Sequence, residues 1–384
     1  MRFRPVFAAA VLALCGCGAL LGIDPIDYGA PGDAGADDAL HDTSSDSPTD
    51  GASDEAAPSL DGAAEAAADA GSRCDAAGPV ATQLVRLGLD GGGEPTFLTT
   101  LGSYLVWSNN DPGGYMCDPG TCANDGGVLR IQHGSSPTLG LAGGGSVLVL
   151  AGDQDIEHCL VTAAPIGCSS FSIPMFAAQN PTITSTRMFI DALRQADAGA
   201  ASIIDCALGG PCSTATDAFV SGTLTARTTR LRATGQAVVW TDTQRAFLSC
   251  SLTLGCAKDA GGPSAVLPPS GGAQLFDMTS SGAIVAATIP GEVAVCDALP
   301  CKSWRPLARV GGPLVELIVD EHAAEPEVIW STVDGTVRSC SLASCGCPRV
   351  LGTGMGLAHH LAATPSEVYV TSSAFGGTIY RVPR

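Results

Sequence analysis

Ala237-Val238-Val239-Trp240-Thr241-Asp242 is followed by Ala246-Phe247-Leu248-Ser249-Cys250, and a second cysteine, Cys256, comes after a short turn. Both runs are β-branched and aromatic, of strand length, and bounded by polar turn residues, so they read as paired strands. The same order recurs along the chain. Further cysteine pairs stand at Cys117/Cys122, Cys159/Cys168, Cys206/Cys212, Cys296/Cys301 and Cys340/Cys345, and successive first cysteines lie 42, 47, 44, 46 and 44 residues apart. A fixed period of that size marks one supersecondary unit copied in tandem.

Aligning the strand that ends at Trp240 gives seven copies, ending at Trp107, Leu150, Ile190, Trp240, Ala286, Trp330 and Val370. Their near-continuous apolar character fits strands buried on both faces. A third strand follows in most copies: Gly127 to Ile131, Ala246 to Cys250, Glu292 to Cys296, Thr336 to Cys340 and Thr378 to Val382. In the first copy this places Cys117 and Cys122 in an insertion, 112–125, ahead of the third strand. Four short strands in about 44 residues, with almost no helical periodicity, predict an all-β, seven-bladed β-propeller. Six blades is the alternative, if the second or third copy is an insertion. The chain ends one strand short of a full last blade, and Thr82-Gln83-Leu84-Val85-Arg86-Leu87 stands ahead of the first copy to supply it. Pairing the two ends would close the ring and remove its free edges.

The first residues carry an address. Arg2 and Arg4 precede an apolar run, 6–14, too short to span a bilayer and shaped like a secretory signal. Leu14-Cys15-Gly16-Cys17 resembles the bacterial lipobox, which implies that residues 1–16 are removed and Cys17 is lipidated. Cys15 fits that pattern less well, because Leu14 would occupy the position before the cut. Gly18 takes the place of the aspartate that retains lipoproteins at the inner membrane, so the resemblance implies the outer membrane, exposed to periplasm or cell surface. A plain secretory signal or an uncleaved anchor is the alternative. On the lipoprotein reading the lipid alone contacts the membrane.

Residues 17–78 form the expected tether. Between 24 and 78 there are fourteen acids and one base, Arg73, and no aromatic after Tyr28. Such a composition cannot bury enough apolar surface to offset its chain entropy, so it is expected to stay disordered, with an end-to-end distance of about 40 Å. It holds most of the chain's net charge of -19. The remaining residues, 79–384, are the expected propeller, and with no basic patch, nucleic acid is excluded as a partner.

Setting aside Cys15 and Cys17 leaves an even number of cysteines in a secreted context, which reads as a disulfide framework. The six local pairs leave Cys74 and Cys347, which ring closure would bring together. The alternative joins Cys340 to Cys347 and frees Cys345 for Cys74. Zinc would need two pairs in one place, and propeller blades hold equivalent loops apart.

Other candidates are weaker. Asp153, Asp155, Glu157 and His158 read as a solvated hairpin tip. As a cation site they would take calcium, but the glycine and spacing of an EF-hand are missing. His359 and His360 precede the first strand of the last blade, where alternation would send only one to the channel. Gly143-Gly144-Gly145 and Leu89-Asp90-Gly91-Gly92-Gly93 read as turns. Trp107, Trp240 and Trp330 share one repeat position and read as core, leaving Trp304 as the exposed aromatic. No catalytic or cofactor-binding residue is assigned.

Val239-Trp240-Thr241-Asp242, Ile329-Trp330-Ser331 and Val106-Trp107-Ser108-Asn109 resemble the repeats of bacterial YWTD/NHL-like propellers. The resemblance covers the whole globular part and carries over no catalytic residues. The expected function is therefore a lipid-anchored, monomeric binding or scaffolding module for a protein, peptide or polysaccharide partner. The alternative is a lactonase- or hydrolase-like propeller enzyme acting on a small extracellular substrate.

Overall fold

Each repeat folds as an antiparallel sheet whose first strand lies innermost. In the fourth blade, Thr228–Ala233 pairs with Ala237–Asp242, which pairs with Phe247–Ser251, which pairs with Ser264–Ala265. The structure, a computed structural model, describes residues 78–86, 95–109, 113–122, 127–131, 137–161, 166–194, 201–208, 218–224, 228–242, 247–253, 264–266, 269, 272–288, 291–373 and 377–384. Among them there is no α-helix.

The fifth blade is built from Ala273–Met278, Ile284–Thr288, Glu292–Cys296 and Arg305–Arg309, and the sixth from Leu314–Asp320, Glu327–Thr332, Val337–Ser341 and Arg349–Gly352. The first blade contains Phe97–Leu101, Tyr104–Ser108, Gly114–Cys117 and Leu129–Ile131. Its third strand is thus Gly114–Cys117, and Leu129–Ile131 is the outermost strand, not the third. Cys117 therefore lies on the blade itself rather than in an insertion. It faces Leu105 across the ladder, as Cys250 faces Val238, Cys296 faces Ile284 and Cys340 faces Val328.

Blades two and three share one six-stranded sheet. Val147–Leu160 is too long for one straight strand, and its flanking residues meet: the Val161 N–H donates to the Ser146 carbonyl at 2.8 Å. It is a hairpin, with 147–152 pairing to Thr138–Gly144 and 155–160 pairing to the first half of Gly167–Ile183. The second half of Gly167–Ile183 then serves as the inner strand of blade three, followed by Arg187–Arg194, Ala201–Ala207 and Ala218–Leu224. Two blades, not one insertion, occupy this stretch, so the six-bladed alternative falls. Gly143 and Gly144 extend the inner strand of blade two, and the turn begins only at Gly145, whose φ is 60°. A Cβ on Gly143 would sit 3.0 Å from the Thr100 carbonyl of blade one, so the strand there needs glycine to pack.

The seventh blade joins both ends of the repeat region. Thr82–Arg86 pairs antiparallel with Thr378–Pro383, which continues to Glu367–Ser372 and Ala358–Ala363. The seven inner strands contact one another in sequence order, and the last contacts the first, so the ring is closed.

Seven apolar clusters of buried residues fill the seven interfaces between successive blades. Second strands serve two interfaces each: Val238 and Trp240 face blade three while Val239 faces blade five. This is why those strands read as continuously apolar. Trp107, Trp240 and Trp330 are wholly buried. Where the tryptophan is missing in blade five, Ala286 stands opposite Phe276, which supplies the volume from the neighbouring strand. Trp304 is half-buried against Phe247, ring centroids 6.1 Å apart, and is not an exposed aromatic.

Candidate functional site

The first two or three residues of the inner strands carry the site. In six blades the ladder between first and second strand shifts register at the same end: Thr138/Gly140, Gln179/Thr182, Thr228/Arg230, Ala273/Leu275, Leu314/Glu316 and Ala358/Leu361. A bulge re-aims the side chains it contains. Residues in or beside these bulges, Gly140, Asn180, Pro181, Arg230, Leu275, Val315, Glu316, His359 and His360, line an axial cavity of about 440 Å³, with Phe97 and Leu98 completing it from blade one. Both histidines therefore reach the cavity. Strict alternation had allowed one, and the bulge in Ala358–Ala363 removes it.

A second axial cavity of about 330 Å³ lies at the other end of the inner strands and includes Asp277, Asp320 and His322. Leu98, Leu141, Pro181, Ile318, Leu361 and Arg232 border both, forming a largely apolar collar.

Charge in the first cavity is paired across blades. Arg230 donates from Nη1 to Glu316 Oε1 at 2.5 Å and from Nη2 to the Leu317 carbonyl at 2.6 Å. Arg232 donates from Nε to Asp277 Oδ1 at 2.7 Å, while Asp277 Oδ2 accepts the Val319 N–H at 2.8 Å. His360 Nδ1 faces Glu316 Oε2 at 3.4 Å, and its ring stacks on Phe97 at 5.7 Å. Burial pushes the Glu316 carboxyl up, but the Arg230 charge and the His360 contact outweigh it and hold the pKa down at about 2. Burial weakens both guanidinium charges. At Arg230 the facing Glu316 and Asp277 overcome it and the pKa rises, whereas at Arg232 burial and the Arg230 charge bring it below its ordinary value.

At the far mouth, Arg384 donates to Asp320 at 2.5 Å, to the Thr364 carbonyl at 2.9 Å and to Glu327 at 2.9 Å, tying blade seven to blade six. His322 meets the other Asp320 oxygen at 2.5 Å.

The cysteines lie away from the axis. Cys117–Cys122, Cys159–Cys168, Cys296–Cys301 and Cys340–Cys345 are joined, with Cα separations of 5.6, 4.0, 5.8 and 5.5 Å. Cys345 is thus taken by Cys340. Cys206, Cys250 and Cys347 are also disulfide-bonded. Cys15, Cys17, Cys74, Cys212, Cys256 and Gly91-Gly92-Gly93 lie outside the described residues, as do the signal segment and nearly all of the tether.

Glu157 and His158 are buried on a strand rather than solvated at a tip, and burial lowers the His158 pKa. Glu157 lies near Cys159 and Cys168, whose sulfurs are spent on each other.

No family profile matches the chain, and no curated protein resembles it in sequence. Solved structures do resemble it in fold. The crystal structure of RRP9 WD40 repeats has a TM-score of 0.58 at 12% identity, covering 80% of this chain and 99% of that one. The WD40 domain of Neurospora crassa Pan2 has a TM-score of 0.57 at 12% identity over 79% and 95%. U3-55K has a TM-score of 0.56 at 12% identity over 80% and 100%. At such identities the likeness establishes the β-propeller fold and nothing finer.

Proposed function

We propose that this chain is a ligand-binding module of a bacterial cell envelope, held at the outer membrane by a lipid on Cys17, acting as a monomer through the mouth of its propeller. The observation that carries this reading is the axial cavity of about 440 Å³, to which all seven blades contribute. Its size is that of a small-molecule or side-chain site, with a few convergent polar groups in an apolar wall. Six bulges aimed at one point give the inner strands a surface that closing a ring does not require.

The same geometry weighs binding above catalysis. A general acid or base works best with a pKa near the working pH, whereas Glu316 is held ionised at about 2 and engaged at both oxygens. The anchor, the envelope address and the tether rest on the sequence of residues 1–78 alone.

Two measurements test the reading. Native mass spectrometry of the protein purified from its own envelope should reveal a bound species that is lost in Leu141→Trp, a substitution that fills the collar. Labelled palmitate should enter the wild-type chain and not Cys17→Ala. A ligand retained by Leu141→Trp would move the binding face elsewhere, and equal labelling would remove the anchor.

A further inference from the structure

The two arginines of the axial cavity hold more hydrogen-bond donors than the protein uses. Arg230 spends Nη1 on Glu316 and Nη2 on the Leu317 carbonyl, and its buried Nε has no hydrogen-bond partner among the described residues. Arg232 spends Nε on Asp277 and Nη1 on the Leu231 carbonyl. A guanidinium is a fork of N–H donors with no acceptor, so both side chains keep donors in reserve. The carboxylates are in the opposite condition. Asp277 accepts from Arg232 at one oxygen and from the Val319 N–H at the other. Glu316 Oε1 accepts from Arg230 and from the Leu317 N–H, while Oε2 faces His360.

The unspent capacity of the cavity is therefore donor capacity. A cation would meet two guanidinium groups and a Glu316 carboxylate already engaged at both oxygens. An oxyanion would supply the acceptors that are missing. Arginine forks suit a planar carboxylate best, because two parallel N–H groups meet its two oxygens. The lining of this cavity holds two guanidinium groups and one carboxylate, Glu316, while Asp277 belongs to the second cavity, so one added negative charge is met by the spare donors, whereas a dianion brings a second charge that the lining does not balance. The rest of the wall is apolar, with Phe97, Leu98, Leu141 and Leu361 beside the charged pair.

We propose that the axial cavity binds a small monoanionic carboxylate with an apolar body, its oxygens against Arg230 and Arg232 and its body against Phe97 and Leu141. This rests on the cavity being the binding site. Carboxylate recognition would also suit an acidic side chain of a partner, but the enclosing collar favours a free small molecule.

Calorimetric titration of the full chain with phenylacetate, and with its neutral isostere 2-phenylacetamide, tests the proposal. Phenylacetate should bind at least tenfold more tightly than the amide. The double variant R230Q/E316Q, which replaces the ion pair with two amides able to bond each other, should lose that preference while keeping its melting temperature within a few degrees. Equal binding of acid and amide would overturn the carboxylate reading and leave the cavity a binding site. Binding of neither, or undiminished binding of phenylacetate to Leu141→Trp, would also overturn it, and the native mass measurement would then decide separately whether the cavity holds a ligand of another class.

Discussion

Arg230, on the inner strand of blade four, places its Nη1 2.5 Å from Glu316 Oε1 on the inner strand of blade six, reaching past the blade between them. Successive inner strands pack in sequence order, so this ion pair is a chord across the axis rather than a contact of neighbours. Arg232, Asp277 and the Val319 N–H form a second link, joining blades four, five and six.

Cutting the chord from one side should be costly. Arg230→Met leaves Glu316 with His360 and the Leu317 N–H but without its guanidinium partner, and a buried carboxylate that loses its ion-pair partner costs about 3–5 kcal/mol. Urea unfolding should register that loss, and should register much less of it for R230Q/E316Q. A single-variant cost under about 1 kcal/mol would mean that water already solvates the pair.

The same carboxylate should give the protein an acid limb. A folded pKa of about 2, against an ordinary value of 4.5, is a depressed pKa. Its contribution is fully present above pH 4.5 and is lost as pH falls toward 2, worth on the order of 3 kcal/mol across that window. Denaturant midpoints taken between pH 6 and pH 2 should fall more steeply for the wild type than for Glu316→Gln. Parallel curves would mean that Glu316 titrates normally.

Blade five offers a test of packing by volume. Trp240→Ala should cost about 3–5 kcal/mol, as large aromatic truncations in cores do. Ala286→Trp alone collides with Phe276 and should cost about 1–3 kcal/mol. Ala286→Trp with Phe276→Leu restores the tryptophan-over-leucine arrangement of blades one, four and six and should recover most of that loss. If thermal unfolding finds no recovery, blade five is not interchangeable with the others.

Much of this was legible in the sequence because repeats average over local ambiguity. The seven second strands are where the spacing put them, and Thr82–Arg86 closes the ring as its position ahead of the first copy implied. In the first blade the sequence points to the wrong third strand, because 111–114, Asp-Pro-Gly-Gly, signals a turn while Val128-Leu129-Arg130-Ile131 is more apolar than Gly114-Tyr115-Met116-Cys117. The shared facing of Cys117, Cys250, Cys296 and Cys340 toward the second strand was the clue that would have corrected it. The site itself was illegible. Nothing in the sequence singles out Arg230 and Glu316, because their meeting depends on bulges, which carry no pattern of their own at period 2.

The disulfides should behave as local staples of equal worth. Cys117–Cys122, Cys296–Cys301 and Cys340–Cys345 all span 5 positions, and Cys159–Cys168 spans 9. On the chain-entropy account each short bridge contributes about 2 kcal/mol, and the longer one slightly more. Paired replacement by alanine, bridge by bridge, should lower stability additively for distant blades. Collapse of the whole fold on losing one bridge would mean that a bridge does more than restrict its own turn.

Blade seven draws its outer strand from Thr82–Arg86 and its other three from 358–383, and that division fixes an order of events during synthesis. Six of the seven apolar interfaces can form as the chain emerges, each from residues close in sequence. The remaining one sets Leu84, Val85, Tyr369 and Ile379 against Leu105 and Trp107, and it cannot form until the last repeat has been made. Contacts of such separation are slow to find. The nascent protein is thus an open arc carrying an unsatisfied apolar face at each end, and it becomes a ring only when its latest residues return to its earliest.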